Sequence, residues 1–152
     1  FAKSGESISI YDEEYMAAFD EIIIPVLKEF NADFILVSSG FDAAENDDLG
    51  KLSLTPFAYY YMTKKLAELN TKLVVALEGG YNLDSLARCS EGVVRALLNE
   101  DYIQLPLIDL DYKNLIESEK NLEALVAKLP ANPIILEDIH KFKNHFSKFW
   151  KI

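Results

Sequence analysis

The chain has 152 residues, half of them hydrophobic and 12% aromatic, with a formal net charge of −10 at pH 7. That is one ordinary domain with apolar residues enough for a core, which excludes a disordered chain. The acidic balance argues against direct binding to a nucleic acid backbone, whose phosphates need a basic face. It leaves either an ordinary solvated surface or a rim suited to basic substrates such as lysine-rich tails.

The sequence opens at Phe1, and residues 1–10 are predicted to be loop, so a piece of a longer protein is expected. A helix is predicted over 12–30, where Tyr15, Met16, Phe19, Ile22, Ile23, Val26, Leu27 and Phe30 fall three or four apart. Asp12 is the expected N-cap, and Pro25 should kink or restart the helix near Glu21 and Ile22. Residues 34–39 form an apolar run suited to a strand covered on both faces. Gly40 then turns the chain at the strand's C-terminal end, where Asp42 follows. Thr55-Pro56 starts a second helix running to about Leu69, with Tyr60, Tyr61, Leu66 and Leu69 facing inward.

A second buried strand is predicted over 72–77. It ends in the glycine turn Glu78-Gly-Gly-Tyr-Asn82 and leads into a helix from about Leu83 to Leu98, carrying Leu83, Leu86, Ala87, Val93, Val94, Leu97 and Leu98. Helix, strand, helix, strand, helix in that order predicts an α/β fold with a parallel sheet. Residues 99–112 are expected to be an extended connection, 114–129 a helix, and 135–150 a last helix. The last one aligns Ile135, Ile139, Phe142, Phe146, Phe149 and Trp150, either to dock on the same domain or to bind a partner. The one cysteine, Cys89, excludes an internal disulfide and any cysteine-rich zinc module, fits a reducing compartment, and is expected to be a small core residue. No apolar run approaches the roughly 18–20 residues of a membrane span, so no membrane partner is expected.

Both strands end in glycine turns, and each turn delivers one polar group: Asp42 after the first, Tyr81 after the second. If the strands are neighbours, both groups face one crevice. Asp42 then either caps a turn or offers a carboxylate to a divalent metal. A tyrosine hydroxyl can donate to an oxyanion formed beside such a metal. One carboxylate and one phenol do not make a zinc site, which takes three protein ligands and an open position.

At these residues a resemblance becomes specific. Ser39-Gly-Phe-Asp-Ala-Ala44, Asp48-Leu-Gly50, Leu77-Glu-Gly-Gly-Tyr-Asn82 and the Glu14-Tyr-Met-Ala-Ala-Phe19 helix resemble the C-terminal half of a zinc-dependent histone deacetylase. The class II-like branch, with glutamate before the two glycines, is the nearest match, over roughly residues 5–98. The resemblance implies the three-layer α/β/α fold of the arginase/deacetylase superfamily, with a parallel sheet flanked by helices. Residues 1–98 would be the C-terminal part of the catalytic domain, and 99–152 a connecting segment and helical C-terminal extension.

The implied activity is hydrolysis of the acetyl amide of acetyl-lysine in proteins such as histone tails, in the nucleus, the cytoplasm or both, with zinc as cofactor. Asp42 resembles a zinc ligand, and Tyr81 the tyrosine that polarises the acetamide carbonyl and holds the oxyanion. Leu49, Gly79, Gly80 and Phe41 resemble the substrate-binding wall, and Glu78 a support to the turn. Tyrosine at 81, rather than histidine, implies a competent parent enzyme. Leucine at 49, where the acetylpolyamine amidohydrolases carry an acidic gatekeeper, favours acetyl-lysine peptides. Asn46-Asp-Asp-Leu-Gly50 departs from the branch's Gly-Asp-Pro-Leu-Gly.

The family's tandem histidines, its Asp-x-His zinc ligands and its monovalent-cation sites lie in a half not present here, which becomes an expected partner. His140 and His145 are expected to be surface or packing residues. The isolated chain should therefore be inactive, and its half sheet should leave an apolar edge and face open unless the tail covers them. A non-catalytic scaffold that binds partners through its helical tail is the alternative from another class. A nucleotide-binding role for Gly79-Gly80 lacks the Gly-x-Gly-x-x-Gly spacing and a Walker lysine.

Overall fold

A computed structural model describes residues 10–102 and 133–150. The first helical stretch runs as α1 (Asp12–Ala18), a π-helical segment (Phe19–Ile23) and α2 (Ile24–Phe30). The interruption expected from Pro25 takes the form of that π segment. Proline has no N–H to offer the carbonyl of Glu21, and the Ile24 N–H reaches back five residues to the Phe19 carbonyl. Asn31, at φ 53°, closes the stretch by donating its N–H to the Leu27 carbonyl at 3.0 Å.

Asp12 is not the cap. Tyr11 holds that position, and its N–H donates to the Glu14 carboxylate at 2.8 Å. The Asp12 carboxylate instead leaves its own helix and accepts from the Thr55 N–H at 2.7 Å and the Thr55 hydroxyl at 2.5 Å. Thr55 in turn caps α3 (Pro56–Ala67), its hydroxyl oxygen accepting the Phe57 N–H at 3.2 Å. One side chain thus ties the starts of two helices together.

The strands β1 (Phe34–Ser39) and β2 (Lys72–Leu77) pair in parallel, from Phe34 opposite Lys72 to Ser39 opposite Leu77. Parallel neighbours need a long crossover, and α3 supplies it. The chain then turns into α4 (Leu83–Leu97), capped by the Asn82 side chain, which accepts the Ser85 N–H at 3.0 Å. Among the described residues the sheet has these two strands.

The expectation of strands covered on both faces is corrected. Burial alternates along β1 and along β2 as far as Ala76, and Phe34, Leu36, Ser38, Lys72, Val74 and Ala76 share one exposed face. The opposite face carries Val75 to a core formed by Phe41, Ala44, Leu54, Ala58, Tyr59, Cys89 and Val93. Only one side of this sheet has helices packed on it within the described residues, and the exposed alternation follows from that.

Helix α3 is the most enclosed element, with Phe57, Ala58, Tyr59, Tyr60, Tyr61, Thr63 and Leu66 all buried. Of the apolar residues that helix α4 carries, Val93 turns inward together with small residues, and Cys89 is in the core as expected. Ser85, Cys89, Gly92, Val93 and Ala96 are buried, while Leu83, Val94, Leu97 and Leu98 are exposed. Small residues win because α4 lies close against α3. A Cβ at Gly92 would stand 2.8 Å from the Pro56 carbonyl oxygen. In the first helical stretch Met16 and Ile24 are buried, but Ile23 and Phe30 are exposed.

The last described helix, α5 (Pro133–Phe146), packs on α1 and the π segment rather than on the open sheet face. Ile139 is buried there, Lys143 pairs with Glu21, and Trp150 lies against Phe30 with ring centroids 6.1 Å apart. Phe142 and Phe149 remain exposed, so only part of the expected aromatic stripe docks. The helix expected over 114–129, and the connection beyond Tyr102, lie outside the described residues.

Candidate active site

The two glycine turns meet. Beyond the last strand pair the Glu78 N–H donates to the Ser39 carbonyl at 3.1 Å, and the Phe41 N–H donates to the Gly79 carbonyl at 3.2 Å. This short continuation of the parallel ladder sets residues 40–42 alongside 78–80. The Asp42 carboxylate lies directly on the second turn, its Oδ1 accepting the Gly80 N–H at 3.2 Å. Glycine is required there on two counts. Gly79 and Gly80 have φ of 94° and 104°, and a Cβ on Gly79 would fall 2.4 Å from Asp42 Oδ2.

Tyr81 follows immediately, with its side chain 66% exposed. The structure therefore brings the Asp42 carboxylate to within one residue of the Tyr81 backbone. Leu49 is exposed on the neighbouring loop. Phe41 is 3% exposed, its ring edge-on to Tyr59 at a centroid distance of 5.0 Å, so it sits in the core beneath the turns. The Glu78 side chain is exposed, and its backbone N–H extends the strand ladder.

Sequence reasoning missed Asp47. The residue is only 4% exposed, and its carboxylate accepts four backbone N–H groups. Those of Leu49 and Gly50 reach Oδ1 at 2.9 and 3.1 Å, and those of Tyr81 and Asn82 reach Oδ2 at 2.7 and 3.3 Å. These bonds, that from Tyr81 foremost, hold the carboxyl below the usual aspartate range, so it is ionised near neutral pH. An aspartate two residues before an accepted N–H is a legible turn signal. The contact with Tyr81 spans 34 residues and has no sequence signature.

Two further groups border the site. Burial, then the charges of Glu45 and Asp12, push the Cys89 thiol up to about 12, so it is an inert core residue and no nucleophile. Burial also holds the Tyr59 hydroxyl well above the ordinary tyrosine range, and nothing among the described residues hydrogen-bonds to it. His140 and His145 lie on α5 and are exposed, with His145 against the rings of Phe146 and Phe149.

Among the described residues no group of three His, Cys, Asp or Glu side chains converges to hold a metal ion. These residues do not fit a complete zinc site, since Asp42 offers a single carboxylate where three ligands are needed.

A parallel pair of strands whose C-terminal turns bring a carboxylate beside a tyrosine's backbone matches the open α/β folds that place their ligands at strand ends. The histone deacetylase domain family matches residues 6–97, more than half of the chain. The chain is 54% identical over 96 residues to histone deacetylase 5 of Arabidopsis thaliana, and 45% identical over 96 residues to histone deacetylase HDA1 of Saccharomyces cerevisiae. Each alignment covers 62% of this chain and 14% of the relative.

Among solved structures, that of the histone deacetylase Clr3 superposes with a TM-score of 0.67 at 30% identity, covering 95% of this chain and 21% of that one. The HDA15 HD domain superposes with a TM-score of 0.60 at 40% identity, covering 62% of this chain and 28% of that one. The chain belongs to the histone deacetylase family, in its class II-like branch, and its sheet and helices are a segment of the arginase/deacetylase-like α/β fold.

Proposed function

We propose that this chain is the part of a zinc-dependent protein lysine deacetylase that carries the oxyanion-stabilising tyrosine, Tyr81, and one metal ligand, Asp42. The observation that supports this most is the seating of the Asp42 carboxylate on the Gly79-Gly80 turn, directly before Tyr81. A bound zinc would polarise the acetyl carbonyl, with its remaining ligands supplied from outside this segment. Tyr81 would donate its hydroxyl proton in a hydrogen bond to the oxygen that gains negative charge as the amide is attacked. Leu49, Gly79 and Gly80 would line the path of the lysine chain, with Phe41 packed beneath and Glu78 at the turn's edge.

Acetylated lysine in basic tails, histones among them, is the proposed substrate class, and the nucleus, the cytoplasm or both the proposed location. Leu49 supports this over a polyamine, because an apolar wall gives no carboxylate to pair with a second ammonium group. The rest of the catalytic domain is the proposed partner of the exposed sheet face.

In a full-length protein carrying this segment, Tyr81→Phe should lower turnover of an acetyl-lysine peptide by about 10²–10³-fold. The 152-residue chain alone, with zinc added, should give none. Unchanged turnover in Tyr81→Phe would remove the assigned role, and turnover by the isolated chain would show that its own residues suffice.

A further inference from the structure

Two aspartates on one loop grip three successive amides on the other. Asp42 accepts from Gly80, and Asp47 from Tyr81 and Asn82, with Asp47 at the same time holding Leu49 and Gly50. The local half of this arrangement is an ordinary turn, which a neutral side chain could also make. Burying a full carboxylate is costly unless several N–H groups repay it, and charge-assisted bonds of this kind are the stronger class. The distant pair of donors is what turns the loop into a clamp.

Two other bonds run between the same segments. Asn82 Nδ2 donates to the Asn46 carbonyl at 2.9 Å, and the Ser85 hydroxyl donates to the Glu45 carbonyl at 2.6 Å. Both fix the start of α4 and neither holds Tyr81 itself. The Tyr81 side chain is mostly in solvent, so packing does little to place its hydroxyl. Its position is then set by its backbone, and the shortest bond on that backbone is the one to Asp47.

We propose that Asp47 is a positioning residue whose two carboxylate oxygens hold the Tyr81 turn and the Leu49 loop in fixed register, so that the oxyanion donor and the substrate wall move as one unit. This rests on the deacetylase role proposed for Tyr81. Asp47→Asn keeps the shape but replaces one acceptor oxygen with an NH₂ donor, which must then face one of the two amide pairs. Misplacing a catalytic group by about 1 Å costs about 10²-fold. In the full-length protein, Asp47→Asn should therefore lower kcat by about 10²-fold, with KM changed by less than about threefold.

The deciding measurement is a cycle with Tyr81→Phe. If Asp47 acts through the Tyr81 hydroxyl, Asp47→Asn should cost no more than about twofold once that hydroxyl is gone. Equal losses in both backgrounds would mean a purely structural role and overturn the proposal. Amide hydrogen exchange over residues 79–83 is read in parallel and needs no activity. It should quicken at least about tenfold in Asp47→Asn, and unchanged exchange would also overturn the proposal. If Tyr81→Phe alone leaves turnover intact, the deacetylase role fails, and the exchange result still decides whether the clamp exists. Should Asp47→Asn not fold, Asp47→Glu, with both oxygens on a longer arm, goes through the same cycle under the same criteria.

Discussion

The side chains that shape this segment are carboxylates placed where a count of hydrophobic residues would not look for them. Asp12 is the clearest case for pH. Burial, against the opposing pull of its bonds to Thr55, raises its carboxyl from 3.8 to about 6. Between those values the folded chain keeps a proton that the unfolded chain has released, so stability falls as pH rises through the window. What Asp12 contributes is fully present below pH 3.8 and lost above about 6, a difference of about 3 kcal/mol at most. Asp12→Asn cannot ionise and keeps an oxygen for the Thr55 N–H. Urea unfolding at a series of pH values should show the variant gaining on the parent chain from about pH 4 to 6.5. A gap that stays constant across that range would mean the buried charge is not what sets it. Asp47 has the opposite sign: its carboxyl is depressed, so its bonds support the fold at neutral pH and weaken only in acid.

At the scale of elements, local patterns placed the described helices and strands: spacing three or four apart for the first and last helices, short apolar runs ending in glycine turns for the strands. Thr55-Pro56, the run at 72–77 and Asn82 before α4 needed no tertiary knowledge. Which face of α4 turns inward was another matter. Leu83 and Leu97 stay exposed, while Gly92 and Ala96 are the ones against α3. The reason is the spacing of the two axes, set by contacts such as Gly92 beneath the Pro56 carbonyl and Tyr60. Gly92→Val tests it. Valine gains back about 0.5 kcal/mol of helix propensity over glycine, while forcing volume into a closed contact costs about 1–3 kcal/mol. The variant should therefore unfold at lower urea concentration, and an unchanged midpoint would show that α3 and α4 have room to part.

At the scale of the whole molecule, the open sheet face dominates. Leu36 is 71% exposed, and Phe34 and Val74 beside it are exposed as well, while α5 packs elsewhere. Contiguous apolar surface of that kind drives association. The isolated chain should therefore scatter light as dimers or larger species. Because Leu36 lies opposite Val74, the pair Leu36→Lys with Val74→Glu places opposite charges across the strands and should restore a monomer with unchanged circular dichroism. A parent chain that is already a clean monomer would show the face to be harmless.

The sequence by itself determined the elements, their order, the parallel pairing, the family and the two glycine turns, since all of these are written in short-range patterns. The tertiary structure alone decided that Asp12 bonds Thr55, that Asp47 reaches across to Tyr81, and that Gly92 and Ala96 bring α4 against α3. Those depend on which distant backbone donors come within 3 Å or so of a carboxylate and on what packs over each face, and neither is encoded in the spacing of residues along the chain.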